Sequence, residues 1–233
     1  MQHVILGQRY RSILDAPLRE HGFMPIYMPD NPYIDKRLAG HADLSVFKYA
    51  ANKFLLAPHL KNTAFSAALS ELGAECSYSS ISQSAQYPND TQLNACCVGE
   101  YLFCAKGITD TSLLSACRNC ERIYVKQGYC RCSICAVGNN AIICADAGIV
   151  SAAKEKDLEC LHIVPGYIEL EGFSYGFIGG ASFAGSNGGI YFTGRLEKHP
   201  NGDLIQKFIN SHGFDAVFLT NNTVFDIGTC IIL

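Results

Sequence analysis

One order of elements recurs five times along this chain, and that recurrence limits the possible folds more than any single motif does. The first unit opens with an apolar run, Val4–Leu6. A short helix follows, with Asp15 as its expected N-cap, Pro17 in its first turn and Gly22 as its stop. Met24–Met28 and a Pro/Asn/Asp-rich turn then lead to His41-Ala-Asp-Leu-Ser-Val-Phe47. The order is strand, helix, strand, strand. In the second unit Phe54–Ala57 reads as a strand, and Leu60 to Leu72 as a helix with Leu60, Ala64, Phe65, Ala68, Leu69 and Leu72 on one face, stopped by Gly73. A strand near Cys76–Ser79 and the segment Tyr87-Pro-Asn-Asp-Thr-Gln-Leu-Asn-Ala-Cys-Cys-Val98 complete that unit. The third unit has Tyr101–Cys104, a helix from Asp110 to about Cys120, Ile123–Val125 and Lys126–Val137. The fourth has Ala141–Cys144, a helix around Ile149–Leu158, Leu161–Val164 and Phe177–Ser182. The fifth has Ile190–Phe192, a helix from about Gly202 to His212, Ala216–Leu219 and Thr229–Leu233.

The units also resemble one another in sequence. Asn94-Ala-Cys-Cys-Val-Gly-Glu-Tyr-Leu-Phe-Cys-Ala105 aligns with Ser133-Ile-Cys-Ala-Val-Gly-Asn-Asn-Ala-Ile-Ile-Cys-Ala145 with a single insertion. A period of roughly 40–50 residues lies in the range of propellers and repeat arrays. Five such units, at approximately 1–47, 53–98, 101–137, 141–183 and 189–233, predict one α/β domain with five sheets around an axis. A final strand isolated at the chain end needs a partner upstream, and the first unit can supply it, closing the ring. The alternative is an ordinary α/β sheet whose internal similarity is accidental.

Apolar residues make up 48% and charged residues 17% of 233, which fits a globular chain. The net charge is −3 and no basic cluster appears, so no nucleic-acid partner is expected. No apolar run approaches the ~18 residues of a membrane span. Met1-Gln2-His3 runs straight into the first strand without a charged lead, so a cytoplasmic location is expected. Nothing in the sequence specifies an oligomeric state.

The twelve cysteines, many inside apolar strands (Cys96, Cys97, Cys104, Cys144), read mainly as small reduced hydrophobes. Cys117-Arg-Asn-Cys120 with Cys130-Arg-Cys-Ser-Ile-Cys135 could also suggest zinc or an iron–sulfur cluster. Strand alternation would put Cys130 and Cys132 on one face and Cys135 on the other, so no metal and no cofactor are expected. The glycines from Gly172 to Gly194 carry no dinucleotide or phosphate-loop signature.

A ring of five strand–helix–strand–strand units resembles the pentein, or guanidine-modifying-enzyme, α/β propeller. Asp226-Ile-Gly-Thr-Cys-Ile-Ile-Leu233 is similar to the C-terminal strand that bears the nucleophilic Cys of dimethylarginine dimethylaminohydrolases. His41-Ala-Asp-Leu-Ser-Val-Phe47 resembles the His-x-Asp strand of agmatine and arginine deiminases. Tyr87–Asn94 resembles the Asp/Asn segment that holds the substrate guanidinium. From Asn31-Pro-Tyr-Ile-Asp through Gly176-Phe-Ile-Gly-Gly to its end, the chain looks like an uncharacterised bacterial family assigned to this fold.

A guanidinium is a planar cation and a poor electrophile. Opening it requires a thiolate, carboxylates that pair with its N–H groups and a proton carrier for the leaving amine. In a five-fold ring the start of each unit's last strand points into the channel, which gathers His41 and Asp43, Asp90 and Asn94, Arg131, Ser182, and Asp226 with Cys230. The resemblance implies Cys230 as nucleophile, with His41 and Asp90 as its catalytic partners. It implies Asp43, Asn94, Arg131 and Asp226 as binding residues for a small guanidino or amidino ligand. One departure stands out: the deiminases carry their His two units before the Cys, and the corresponding Tyr129-Cys130-Arg131-Cys132 has none. Plainer readings stay open for the same residues. Cys230 suits a buried strand, His41 and Asp43 suit a hydrogen-bonded turn, and Asp90 is good turn chemistry. Glu169 and Glu171 fit a solvated strand face as well as channel lining. The sequence thus supports a Cys-dependent hydrolase or transferase of guanidino compounds, or a non-catalytic binding protein on the same fold.

Overall fold

The computed structural model describes residues 2–233. Among them lie five three-stranded sheets, each strand-paired in the same way. The second sheet contains β3 (Val46–Ala50), β4 (Lys53–Leu56) and β5 (Glu75–Tyr78), with α2 (Ala64–Glu71) between the last two. The third contains β6 (Cys96–Val98), β7 (Tyr101–Ala105) and β8 (Glu121–Val125), with α3 (Thr111–Ala116). A one-turn helix, α4 (Cys130–Ser133), precedes the fourth sheet of β9 (Cys135–Val137), β10 (Ala141–Cys144) and β11 (Glu159–His162), which carries α5 (Ala147–Lys154). The fifth contains β12 (Ser182–Ala184), β13 (Gly189–Phe192) and β14 (Asp215–Phe218), with α6 (Gly202–Ser211). In each, the first two strands are antiparallel and the second and third are parallel across the helix. The remaining sheet holds β1 (Gln2–Gly7) and β2 (Phe23–Met28), joined by α1 (Arg11–Glu20), and takes its antiparallel strand from the chain end, β15 (Ile231–Ile232). Val4 pairs with Ile232 and Ile5 with Ile231, so the terminal strand closes the ring against the first sheet.

Packing makes the ring explicit. The apolar core is divided into seams, each shared by neighbouring sheets. Val4, Leu6, Leu14 and Leu18 pack on Phe183 and Tyr191 of the fifth sheet, while Ile5 and Met28 pack on Phe54, Leu56, Phe65 and Leu69 of the second. Phe47 and Leu55 meet Leu102, Cys104 and Leu113. Cys96 and Phe103 meet Ile142 and Ile149, and Val137 and Ile143 meet Phe192 and Ile205. With each fully buried Leu, Ile or Phe contributing about 1.5–3 kcal/mol, every sheet depends on both neighbours. The antiparallel strands of the five sheets, β3, β6, β9, β12 and β15, border one cavity, which fixes them as the inner strands around the axis.

Several local expectations change. Helix α1 starts at Arg11, after a 3₁₀ turn over Gln8–Tyr10, so Asp15 is not its N-cap and Pro17 lies in its interior. Asp15 instead accepts hydrogen bonds from Arg19 and the Tyr27 hydroxyl. Burial of Leu14 and Leu18 holds this helix in place although Pro17 lacks an N–H. Helix α2 is shorter than its apolar stripe, because Thr63 and Ser66 form a reciprocal capping box that sets its start. Helix α3 stops at Ala116, before the expected Cys120. Cys130 and Cys132 sit in a helical turn, so strand alternation does not govern them. The cysteines are free among the described residues, and no helix there is long and apolar enough to cross a membrane.

Candidate active site at the channel mouth

The polar residues gather where the chain enters the inner strands. His41 begins a 3₁₀ turn over Ala42–Leu44 just before β3, Asn94 precedes β6, Arg131 and Cys132 form α4 before β9, and Asp226 lies before β15. Backbone and side-chain bonds weave these entries together. The Asn94 side-chain carbonyl accepts the backbone N–H groups of Arg131 at 2.8 Å and Cys132 at 3.3 Å. The Cys132 thiol donates to Asp43 Oδ2 at 2.9 Å, and the Asn94 amide lies 3.2 Å from the same sulfur. The Asp226 carboxylate accepts the N–H of Gly228 at 2.9 Å and of Phe177 at 2.8 Å. His41 Nδ1 lies 3.9 Å from Asp226 Oδ1. The close approach of chains requires glycine at Gly228, where a Cβ would fall 2.3 Å from the His41 Cβ and φ is +66°. Gly180 is similarly constrained, because a Cβ there would lie 2.0 Å from Asp226 Oδ1.

This cluster floors a cavity of about 290 Å³, reached by His41, Cys132 and Asp226 and walled by Tyr129, Phe173, Tyr175 and Phe177. Leu170, Phe173, Ser174 and Asp226 are shared with a larger outer groove of about 830 Å³ that Arg9, Arg37, Glu169 and Glu171 also line. Glu169 and Glu171 are thus exposed groove residues. His41, Asp43 and Asp226 are each at least 97% buried, yet His41 Nε2 and Asp43 Oδ1 have no hydrogen-bond partner among the described residues. Buried polar atoms left unpaired cost about 1–3 kcal/mol each.

Burial holds the Asp226 carboxyl above the usual carboxylate range, although His41 and two backbone N–H groups pull it down. The Cys132 thiol is raised well above its ordinary value by burial and by Asp43 and Asp226. Burial thus favours the neutral forms of both groups. His41, Asp43 and Cys132 also bring one nitrogen, one oxygen and one sulfur donor within 4.8 Å of one another, a set that could hold a metal ion.

The remaining expected residues lie elsewhere. Asp90 is withdrawn from the cluster: its Oδ2 accepts the Tyr129 hydroxyl at 2.5 Å, its Oδ1 has no partner, and burial raises its carboxyl. Cys230 borders a second cavity of about 240 Å³, on the other side of the cluster, together with Arg131 and the inner strands. His41, Cys230 and Asp90 therefore do not line one common cavity. The Arg131 guanidinium is committed within the protein: it donates to Thr229 Oγ1 at 2.7 Å and to the carbonyls of Ile134 at 3.1 Å and Gly179 at 3.4 Å. Thr229 Oγ1 in turn donates to the Ser182 carbonyl at 2.7 Å. Burial pushes the Cys230 thiol up, with Arg131 pulling the other way. Sequence reasoning assigned no role to Cys132, Tyr129 or the aromatic wall. The available signal was positional, because Cys132 stands at the third-unit entry where the deiminases place their His.

No curated protein matches this chain. Three solved structures of similar fold are a cysteine-to-serine variant of dimethylarginine dimethylaminohydrolase from Pseudomonas aeruginosa complexed with citrulline, agmatine deiminase from C. jejuni, and an amidinotransferase of the saxitoxin biosynthetic pathway of Microseira wollei. The first is 11% identical with a TM-score of 0.55, covering 100% of this chain and 99% of that one. The second is 10% identical with a TM-score of 0.54, covering 94% and 86%, and the third is 11% identical with a TM-score of 0.53, covering 97% and 94%. All are pentein-fold proteins, and the five-sheet ring described above is that fold. A family profile matches residues 5–231, and the chain belongs to that family, a family of unknown function (DUF6873).

Proposed function

We propose that the cavity above His41, Cys132 and Asp226 binds a small planar cation of the guanidinium or amidinium class. The observation that carries this reading is the acidic, under-paired floor beneath an aromatic wall. A guanidinium has a flat N–H edge for Asp226 and a π-face for Tyr129 and Phe177. Its positive charge would also lower the Cys132 thiol toward thiolate and satisfy buried acceptors that the protein leaves open. The pentein neighbours that act on dimethylarginine and agmatine, or transfer an amidino group, support the same ligand class.

On this reading Cys132, rather than Cys230, is the thiol that meets the ligand. Its sulfur would attack the central carbon as the thiol proton passes to His41, the C–N bond to the leaving amine would break, and that amine would take the proton from His41. Water, or an acceptor amine, would then release the thiouronium intermediate and restore the thiol. A second reading, binding without turnover, is favoured by one observation: both Cys132 and Cys230 are buried and held as neutral thiols without ligand.

Calorimetric titration with methylguanidine, acetamidine and urea tests the cation reading. The two cations should bind one site, urea should not, and Asp226→Asn should weaken cation binding on the order of tenfold or more, about 1.4 kcal/mol or above. Equal binding of urea, or unchanged affinity in Asp226→Asn, would refute it. Rapid loss of bound methylguanidine as ammonia or methylamine would separate turnover from binding alone.

A further inference from the structure

Cys117 and Cys120 are separated by two residues in sequence and come together with Cys97, from a different element, at the outer end of the third sheet. Cys117 caps the end of helix α3, its backbone N–H still bonding the Leu113 carbonyl at 3.0 Å. The next turn folds back so that the Cys120 N–H bonds the Cys117 carbonyl at 3.0 Å. That turn carries the Cys120 sulfur back beside Cys117. Cys97 is the middle residue of β6, between buried Cys96 and Val98, and alternation along the strand turns it away from both and outward. The three sulfurs lie within 4.8 Å of one another. Cys117 is buried, Cys120 is half-buried and Cys97 is exposed, so the cluster has a packed base and an open side.

We propose that Cys97, Cys117 and Cys120 form a site for one thiophilic metal ion, Zn²⁺ or Cu⁺, with three sulfur ligands. The donor set is all sulfur, which suits these ions and disfavours Mg²⁺ and Ca²⁺. Zinc–sulfur bonds of about 2.3 Å in tetrahedral geometry bring sulfurs to roughly 3.8 Å apart, so ligation needs only a small inward adjustment of side chains. Binding exchanges thiol protons for the metal and requires no oxidant. The exposed Cys97 leaves a fourth coordination position open to water or to an incoming ligand. Cys97 also borders the second cavity, so a metal here would sit at the rim of the channel face that carries Cys230. The site is separate from the His41, Asp43 and Cys132 cluster and does not depend on the cation reading above.

The test is titration of the reduced, metal-stripped full chain with Co²⁺, read by thiolate-to-cobalt charge-transfer absorption, followed by Zn²⁺ competition against a chromophoric chelator. One equivalent should bind. Cys97→Ser and Cys120→Ser should each weaken binding on the order of tenfold or more, because each removes one of three ligands. Cys160→Ser, a half-buried cysteine outside the cluster, should bind as the unaltered chain does. Circular dichroism of each variant establishes that it is folded. Three results would overturn the proposal: no charge-transfer band with a folded chain, full binding retained in the Cys97→Ser/Cys120→Ser double variant, or binding lost in Cys132→Ser but kept in Cys97→Ser. Peptide mapping that finds Cys117 and Cys120 joined as a disulfide under reducing, metal-containing conditions would also overturn it.

Discussion

The two cavities on either side of the polar cluster differ in where the positive charge comes from. Below, beside Cys230, the chain supplies its own guanidinium: Arg131 reaches Thr229 and two carbonyls and fills its hydrogen-bonding capacity internally. Above, the cavity is lined by His41, Cys132 and the Asp226 carboxylate with no Lys or Arg among its lining residues, and His41 Nε2 lacks a partner among the described residues. The same ring thus has one face that holds a guanidinium of its own and one that does not. On the reading proposed above, a ligand cation would bind on the second. The C-terminal strand, which by its resemblance carries the nucleophile, lies on the first.

The largest expected effect breaks the floor of the upper cavity. Gly180→Ala drives a Cβ into Asp226 Oδ1, and denaturant unfolding should report a loss of about 3 kcal/mol, as for other overpacked core sites. Next comes Arg131→Met, which removes the donors to Thr229 Oγ1 and to the Ile134 and Gly179 carbonyls. It should cost about 2 kcal/mol in the same assay, and a loss below about 0.5 kcal/mol would mean that the lower face does not depend on its internal guanidinium.

The pH dependence sharpens the comparison further. The Asp226 carboxyl is raised in the folded state, so its protonated form is the one folding favours. Its contribution is complete below the ordinary carboxylate value of about 3.9 and is lost as pH rises through the folded value. Urea unfolding across that window should show the unaltered chain losing stability with rising pH more steeply than Asp226→Asn, with Asp90 supplying a residual slope of the same sign. Added methylguanidine should flatten the curve. The smallest effect is Tyr129→Phe, which removes the hydroxyl bonded to Asp90 and should cost about 1 kcal/mol.

Much of the architecture was legible because it rests on local signals repeated five times. Apolar strands and helices recur in every unit, glycine stops such as Gly73 (φ +81°) and Gly213 (φ +79°) end three of the helices, and a terminal strand must pair upstream. The entry positions were also readable: His41, Asp43, Asn94 and Asp226 do meet, since the ring brings every strand entry to one axis. The orientation of side chains within the entries was not readable. Asp90 differs from Asn94 only by which partner captures it, and Tyr129 is the partner that draws it aside. Tyr129–Cys132 alternates as a strand would, yet it forms a helical turn because Asn94 holds two successive N–H groups there. That turn sets Cys132 facing the cavity. Asp15 and Pro17 misled for a similar reason: burial of Leu14 and Leu18 outweighs a cap and a proline.

The most direct measurement is the site of covalent labelling by 2-chloroacetamidine, a cation that carries its own electrophile, mapped by peptide mass spectrometry at limiting reagent. The adduct is expected on Cys132, slowed by methylguanidine and absent in Cys132→Ser, with Cys230 unmodified over the same time. An adduct on Cys230 with Cys132 untouched would contradict it and return the chemistry to the C-terminal strand.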